Sequence, residues 1–121
     1  MTKTIIAIVD DLFFAAKIRG IAEQCGATTA FARTIDGAIA VAENVTPDLV
    51  IVDLHSQRVD PMELAGTLKA HADLKTIPLM GFFSHVQVEL QRRAKEAGFD
   101  LTVPRSALAE SLTRTLQKGE Q

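Results

Sequence analysis

Short apolar runs alternate with amphipathic stretches along the whole chain. Ile5-Ile6-Ala7-Ile8-Val9 is continuous and rich in β-branched residues. Such a run suits a strand covered on both faces. Leu49-Val50-Ile51-Val52 repeats the pattern just after Pro47-Asp48, and Pro78 through Phe83 gives a third run. Thr28 to Ala32 and Leu101 to Val103 are shorter, less apolar strand candidates.

Helical spacing fills the intervals. Leu12 to Gln24 predicts a helix closed by Gly26, a residue type suited to a left-handed C-terminal turn. Thr34 opens a helix through Glu43, with Ile35, Ala38, Ile39 and Ala42 on one face. Asp60-Pro61-Met62-Glu63 combines an N-cap, a proline at the first helical position and an acid at the third. Ser84-His85-Val86-Gln87 carries similar capping logic for a helix ending at Gly98. Ser106 is expected to cap a last helix with Leu108, Leu112 and Leu116 inward. The tail Lys118-Gly119-Glu120-Gln121 is expected to fray.

Five strands alternating with five helices predict an α/β fold. The expected form is a (βα)₅ doubly wound, parallel five-stranded sheet with helices on both faces. A length of 121 residues fits one domain spanning 1–121. In such sheets ligands bind outside the carboxyl ends of the strands. There the first strand delivers Asp10-Asp11, and the third delivers Asp53. Carboxylates crowded at one edge repel, and desolvation raises a pKa further. A hard divalent cation relieves both effects, and Mg²⁺ prefers a few carboxylates with water and phosphate oxygens. The plain alternative is that Asp10 or Asp11 caps the following helix and Asp53 merely starts a loop.

Ile-Val-Asp-Asp at 8–11, Pro-Asp-Leu-Val-Ile-Val-Asp at 47–53, Ile-Pro-Leu-Met at 77–80 and Ala-Gly-Phe-Asp at 97–100 span nearly the whole chain. In this order and spacing they resemble the receiver domains of two-component response regulators, with their flavodoxin-like, CheY-like fold. The resemblance implies that Asp53 accepts a phosphoryl group from a histidine kinase or phosphotransfer protein. It implies Mg²⁺ as cofactor, held by Asp11 directly, by Asp10 through water, by Asp53 and by the backbone carbonyl of His55. A carboxylate would attack the phosphorus of a phosphohistidine while the metal neutralises the transferring oxygens. It also implies a downstream protein partner on the face of the fourth helix, fifth strand and fifth helix.

The pattern breaks at the read-out end. The hydroxyl residue expected at the end of the fourth strand falls on Phe83, and the aromatic expected on the fifth falls on Thr102, so the two are exchanged. The lysine position falls on Arg105, with Pro104 before it rather than a proline after it. Pro61 replaces the glycine that commonly starts the third helix, and Gln57 the proline of the preceding loop. Phe83 cannot donate a hydrogen bond. Arg105 can still pair with phosphate, and bidentately. Ser84 could substitute for the missing hydroxyl if the strand bulges. Strand alternation argues against that, and capping is the competing reading.

Other residues have bland readings. His85 is expected to be exposed, with a role near the phosphoryl group as its alternative. His71 is expected to be solvated, and Cys25 to be a buried small hydrophobe. Helical spacing cannot bury Phe13 and Phe14 equally, so one should be core and the other near the acidic residues. Arg92, Arg93 and Lys95 make a charged helix face.

Composition narrows the function classes. The core must be mostly aliphatic, because only 5% of residues are aromatic and none is Trp or Tyr. A net charge of -2 without a basic run argues against nucleic acid. One cysteine excludes an internal disulfide and fits a cytoplasmic setting. Nothing reads as a signal peptide or membrane span, and a monomer or weak dimer is expected. Without an output module, a signalling role would be exerted on another protein. Three functions remain: a phosphorelay receiver, a pseudo-receiver that binds proteins without phosphorylation, and a Mg²⁺-dependent phosphohydrolase with an Asp nucleophile. The last usually has two Asp residues two apart after the first strand, whereas Asp10 and Asp11 are adjacent. No glycine-rich turn supports a dinucleotide, and the acidic pair would repel a flavin phosphate.

Overall fold

The computed structural model describes residues 3–84 and 87–118. The strands are β1 (Lys3–Ile8), β2 (Ala27–Phe31), β3 (Leu49–Asp53), β4 (Leu79–Phe83) and β5 (Leu101–Pro104). The helices are α1 (Leu12–Gln24), α2 (Ile35–Val45), α3 (Pro61–Ala70), α4 (Val88–Ala97) and α5 (Leu108–Lys118). All strand pairs are parallel, in the order β2-β1-β3-β4-β5. The doubly wound parallel sheet expected from the apolar runs is therefore the observed architecture.

Strand alternation divides the core in two. Ile6, Ile8, Val50, Val52, Leu79 and Phe83 join the buried residues of α2, α3 and α4 on one side. Ile5, Leu49, Ile51, Met80, Phe82 and Val103 join those of α1 and α5 on the other. The two phenylalanines of β4 thus face opposite cores, as period-two geometry requires. Phe14, Ile18 and Ala22 form the inward stripe of α1, and Leu108, Leu112 and Leu116 that of α5.

Local chemistry sets most helix ends. Asp60 accepts from the backbone N–H groups of Met62 and Glu63, with Pro61 following. Thr34 accepts from Gly37 N–H. Gly98 ends α4 at φ 117° and Gly26 follows α1 at φ 76°, where a side chain would be strained.

Several expectations need correction. α4 begins at Val88 with Gln87 as its N-cap and no side-chain capping bond, so Ser84 does not cap it. Ser84 lies three residues too early, directly after β4. Ser106 caps nothing either: it sits inside a 3₁₀ turn, Arg105–Ala107, that tightens the chain before α5. His71 is half-buried, not merely solvated: Nε2 lies 3.1 Å from Glu43 Oε2, and Nδ1 accepts from Asp73 N–H. Cys25 is only partly buried, against the α1/α5 core. The expectations for His85 and for residues 119–121 lie outside the described residues.

Candidate functional site

Asp10, Asp11 and Asp53 stand where β1 and β3 end, and each is held differently. Asp11 is the N-cap of α1. Its Oδ1 accepts from Phe13 N–H at 2.9 Å and Phe14 N–H at 3.3 Å. Its Oδ2 accepts from Arg105 Nη2 at 2.6 Å. Arg105 is delivered by the turn after β5, and its guanidinium carbon lies 4.1 Å from the centroid of the Phe14 ring. Phe14 in turn leans on Phe82, centroids 5.0 Å apart. The arginine is thus fixed by charge on one side and by an aromatic face on the other. Its hydrogen bond, together with the α1 N–H groups, holds the Asp11 carboxyl below the usual carboxylate range.

Asp10 is bound by the loop after β3. Oδ1 accepts from Ser56 Oγ at 2.8 Å, and Oδ2 from Gln57 N–H at 2.7 Å. The Ser56 hydroxyl also lies 3.3 and 3.2 Å from the N–H groups of Arg58 and Val59, which tightens the loop.

Asp53, at the end of β3, is a half-buried carboxylate within reach of the Asp10 charge. Its Oδ1 accepts from His55 N–H at 2.9 Å. Burial raises its pKa above the usual value, and the Asp10 charge adds to that; the His55 N–H and the Arg105 charge pull the other way. A carboxylate poised in this way is a common mark of a reactive site.

The other candidates also have definite places. Phe83 is only 5% exposed, inside the α3/α4 core, so the position of the expected hydroxyl serves packing. Thr102 lines a cavity of about 480 Å³ between α4 and β5, with Val88 and Leu101. Ser84 is exposed and lines a cavity of about 440 Å³ with Phe14, Lys17 and Arg105. Ser84 and Arg105 therefore border one space. Phe14 is the core member of the phenylalanine pair, and Phe13 is 90% exposed.

The pocket suits a hard cation in composition but not in its present arrangement. Every carboxylate oxygen of Asp10 and Asp11 already accepts a bond from the protein. Among the described residues, no three acidic, histidine or cysteine side chains stand close enough to hold a metal. The positive charge beside Asp11 is Arg105.

Sequence reasoning missed two parts of this site. Ser56 is one, though a serine three residues after a strand-terminal Asp is a local turn signal. The other is the aromatic seat of Arg105, which only the approach of α1 to β4 creates.

No family model matches the chain, and no curated protein matches it. Solved structures do. The chain is similar to the signal receiver domain of a histidine kinase from Syntrophus aciditrophicus, at 26% identity and TM-score 0.79, covering 96% of this chain and 91% of that one. It is similar to the receiver domain of a DNA-binding response regulator from Colwellia psychrerythraea, at 21% identity and TM-score 0.85, covering 98% and 99%. It is similar to chemotaxis protein CheY4 of Vibrio cholerae, at 18% identity and TM-score 0.85, covering 98% of each chain. Five parallel strands in the order 2-1-3-4-5, with the acidic residues at their carboxyl ends, give this chain the fold of the CheY-like response-regulator receiver domains.

Proposed function

We propose that the chain is a receiver module of two-component phosphorelay signalling, with Asp53 as phosphoryl acceptor. The observation that carries this reading is the setting of Asp53. It ends the central strand β3, is half-buried, and has one oxygen steered by the His55 N–H. Its second oxygen would attack the phosphorus of a phosphohistidine on a histidine kinase or phosphotransfer protein. The O–P bond forms as the N–P bond breaks, leaving an acyl phosphate on Asp53, while the donor ring, protonated on its other nitrogen before transfer, leaves as a neutral imidazole. Arg105 would meet the phosphoryl oxygens as a two-pronged cation, and Ser84 would offer a hydroxyl donor.

Mg²⁺ belongs to this reading only in competition with Arg105. Asp10, Asp11, Asp53 and the His55 carbonyl are the groups that would hold it, and it would supply charge neutralisation. The module would act in the cytoplasm and pass its state to a protein docking on the face of α4, β5 and α5. No helix of the described residues is long and apolar enough to cross a membrane.

A second reading is favoured by Phe83 and the Arg105–Asp11 pair. A packed phenylalanine cannot follow a phosphoryl group as a hydroxyl would. The chain would then be a pseudo-receiver that binds its partner without phosphorylation. Beryllofluoride with Mg²⁺, followed by amide resonances, separates the two. The first reading expects shifts around Asp53 that vanish in Asp53→Asn, and a mass gain of one phosphoryl group with acetyl phosphate. No response to either reagent would sink it and leave the second.

A further inference from the structure

A third cavity, of about 270 Å³, opens at the carboxyl ends of β1 and β2, beside the acidic pocket but separate from it. Arg19 from α1, Arg33 after β2 and Arg58 after β3 all line it. None of the three forms an ion pair among the described residues, unlike Arg92, Arg105 and Arg114. Three arginine residues that form no ion pair among the described residues line one concave space, in a chain of net charge -2. Like charges do not gather without cost, so their convergence favours an anion.

The rest of the lining is apolar. Val9 and Phe31 contribute to it, and Arg19 stacks 5.2 Å from the Phe31 ring centroid. Leu12, another lining residue, is 72% exposed. An inorganic ion would leave that apolar surface wet. A ligand with both a charged and a flat part would cover it, because guanidinium planes accept stacked rings and bind phosphate oxygens in pairs. The volume lies just below the common range for small-molecule sites, so the occupant is no larger than a mononucleotide.

We propose that this cavity binds a small phosphate-bearing ligand with a planar ring, of mononucleotide size. The ring lies on the Phe31–Leu12 surface and the phosphate between the arginines. Arg58 follows Gln57, whose N–H holds Asp10, so the cavity and the acidic pocket share one loop. The proposal does not depend on phosphorylation of Asp53.

The test titrates the full chain with adenosine 5′-monophosphate and follows the amide resonances of Val9, Ala32 and Arg58. Saturable shifts with a Kd below about 1 mM are expected. Inorganic phosphate and adenosine, tested separately, should each bind at least about tenfold more weakly. Arg33→Gln with Arg58→Gln should weaken the nucleotide by about tenfold or more, because two charge-assisted contacts are lost. Arg114→Gln, on α5 and outside the cavity's lining, should leave binding unchanged, and so should Asp53→Asn. Shifts that fail to saturate by about 10 mM, or that survive the double substitution, would overturn the site. Phosphate binding as tightly as the nucleotide would overturn the ring.

Discussion

Arg105 and Asp11 are joined across 94 residues of sequence by a 2.6 Å ion pair that brings the end of β5 onto the start of α1. Both partners are partly exposed, so the pair alone adds little to stability. Its importance is positional. A guanidinium on Asp11 Oδ2, seated on Phe14, puts a positive charge where a cation on Asp11 would meet repulsion. Arg105→Ala should therefore raise Mg²⁺ affinity by roughly fivefold or more, since removing a positive charge near the site favours a dication. Isothermal titration of both proteins with MgCl₂ reads this directly. Equal affinities would mean that the arginine does not compete.

The two strand-end carboxylates make opposite contributions to stability across pH. Asp53 has a raised pKa through burial, so the folded state holds its proton at a pH where the unfolded chain has released it. Stability from this residue is then lost as pH rises from 3.8 through the folded pKa. Asp53→Asn should raise the melting temperature at pH 7, with the gain fading as pH falls toward 3.8. Asp11 has a lowered pKa, chiefly through Arg105. Its contribution is present above pH 3.8 and lost as pH falls through the folded pKa, so Asp11→Asn should lower the melting temperature at pH 7. Melting curves from pH 3 to pH 8 check both signs, and a destabilised Asp53→Asn at pH 7 would contradict the burial argument.

Phe83 tests whether packing or signalling owns the end of β4. It is buried with Leu64, Ala94 and Phe99 in one core. Phe83→Thr restores a hydroxyl but removes most of a ring. The loss should be about 3 kcal/mol in urea unfolding, in line with large-to-small core changes. A cost below about 1 kcal/mol would show that the core closes around the smaller residue, and that the position is free to carry a switch.

The sheet was legible because its central strands are buried on both faces and read as unbroken apolar runs: β3 and β4 lie within one residue of where the sequence places them, and β1 runs Lys3–Ile8 rather than Ile5–Val9. The edge strand β2 sits one residue earlier than expected, at Ala27–Phe31, because its half-exposed residues give register little purchase. The carboxylate triad was legible for a similar reason, since strand ends fix where their side chains emerge. The partners of those carboxylates were not. Whether Asp11 meets a metal or Arg105 depends on the distance between α1 and the β5 turn, and no local pattern encodes that. Ser84 shows the same limit. Ser-x-x-Gln matches a capping signature, yet the helix starts only at Val88, and Ser84 lines a cavity with Arg105.

Gly81 ties the central sheet to the loop after Asp53. It sits mid-strand in β4, where glycine is otherwise costly. A Cβ there would lie 2.8 Å from Leu54 Cδ2 and 3.0 Å from its Cγ. Leu54 follows Asp53 directly and is itself buried, so its side chain cannot swing into solvent. The absent side chain at 81 is thus what lets Leu54 cross over β4 and anchor the turn that aims Asp53. Gly81→Ala should cost about 1–3 kcal/mol through overpacking. The strain should also reach the site, because Leu54 N–H bonds Phe82 O while His55 N–H holds Asp53. The check is twofold: urea unfolding for stability, and the amide shift of His55 for the turn. Unchanged stability with an unmoved His55 resonance would mean that Leu54 finds another rotamer, and that the glycine is not what seats the loop after Asp53.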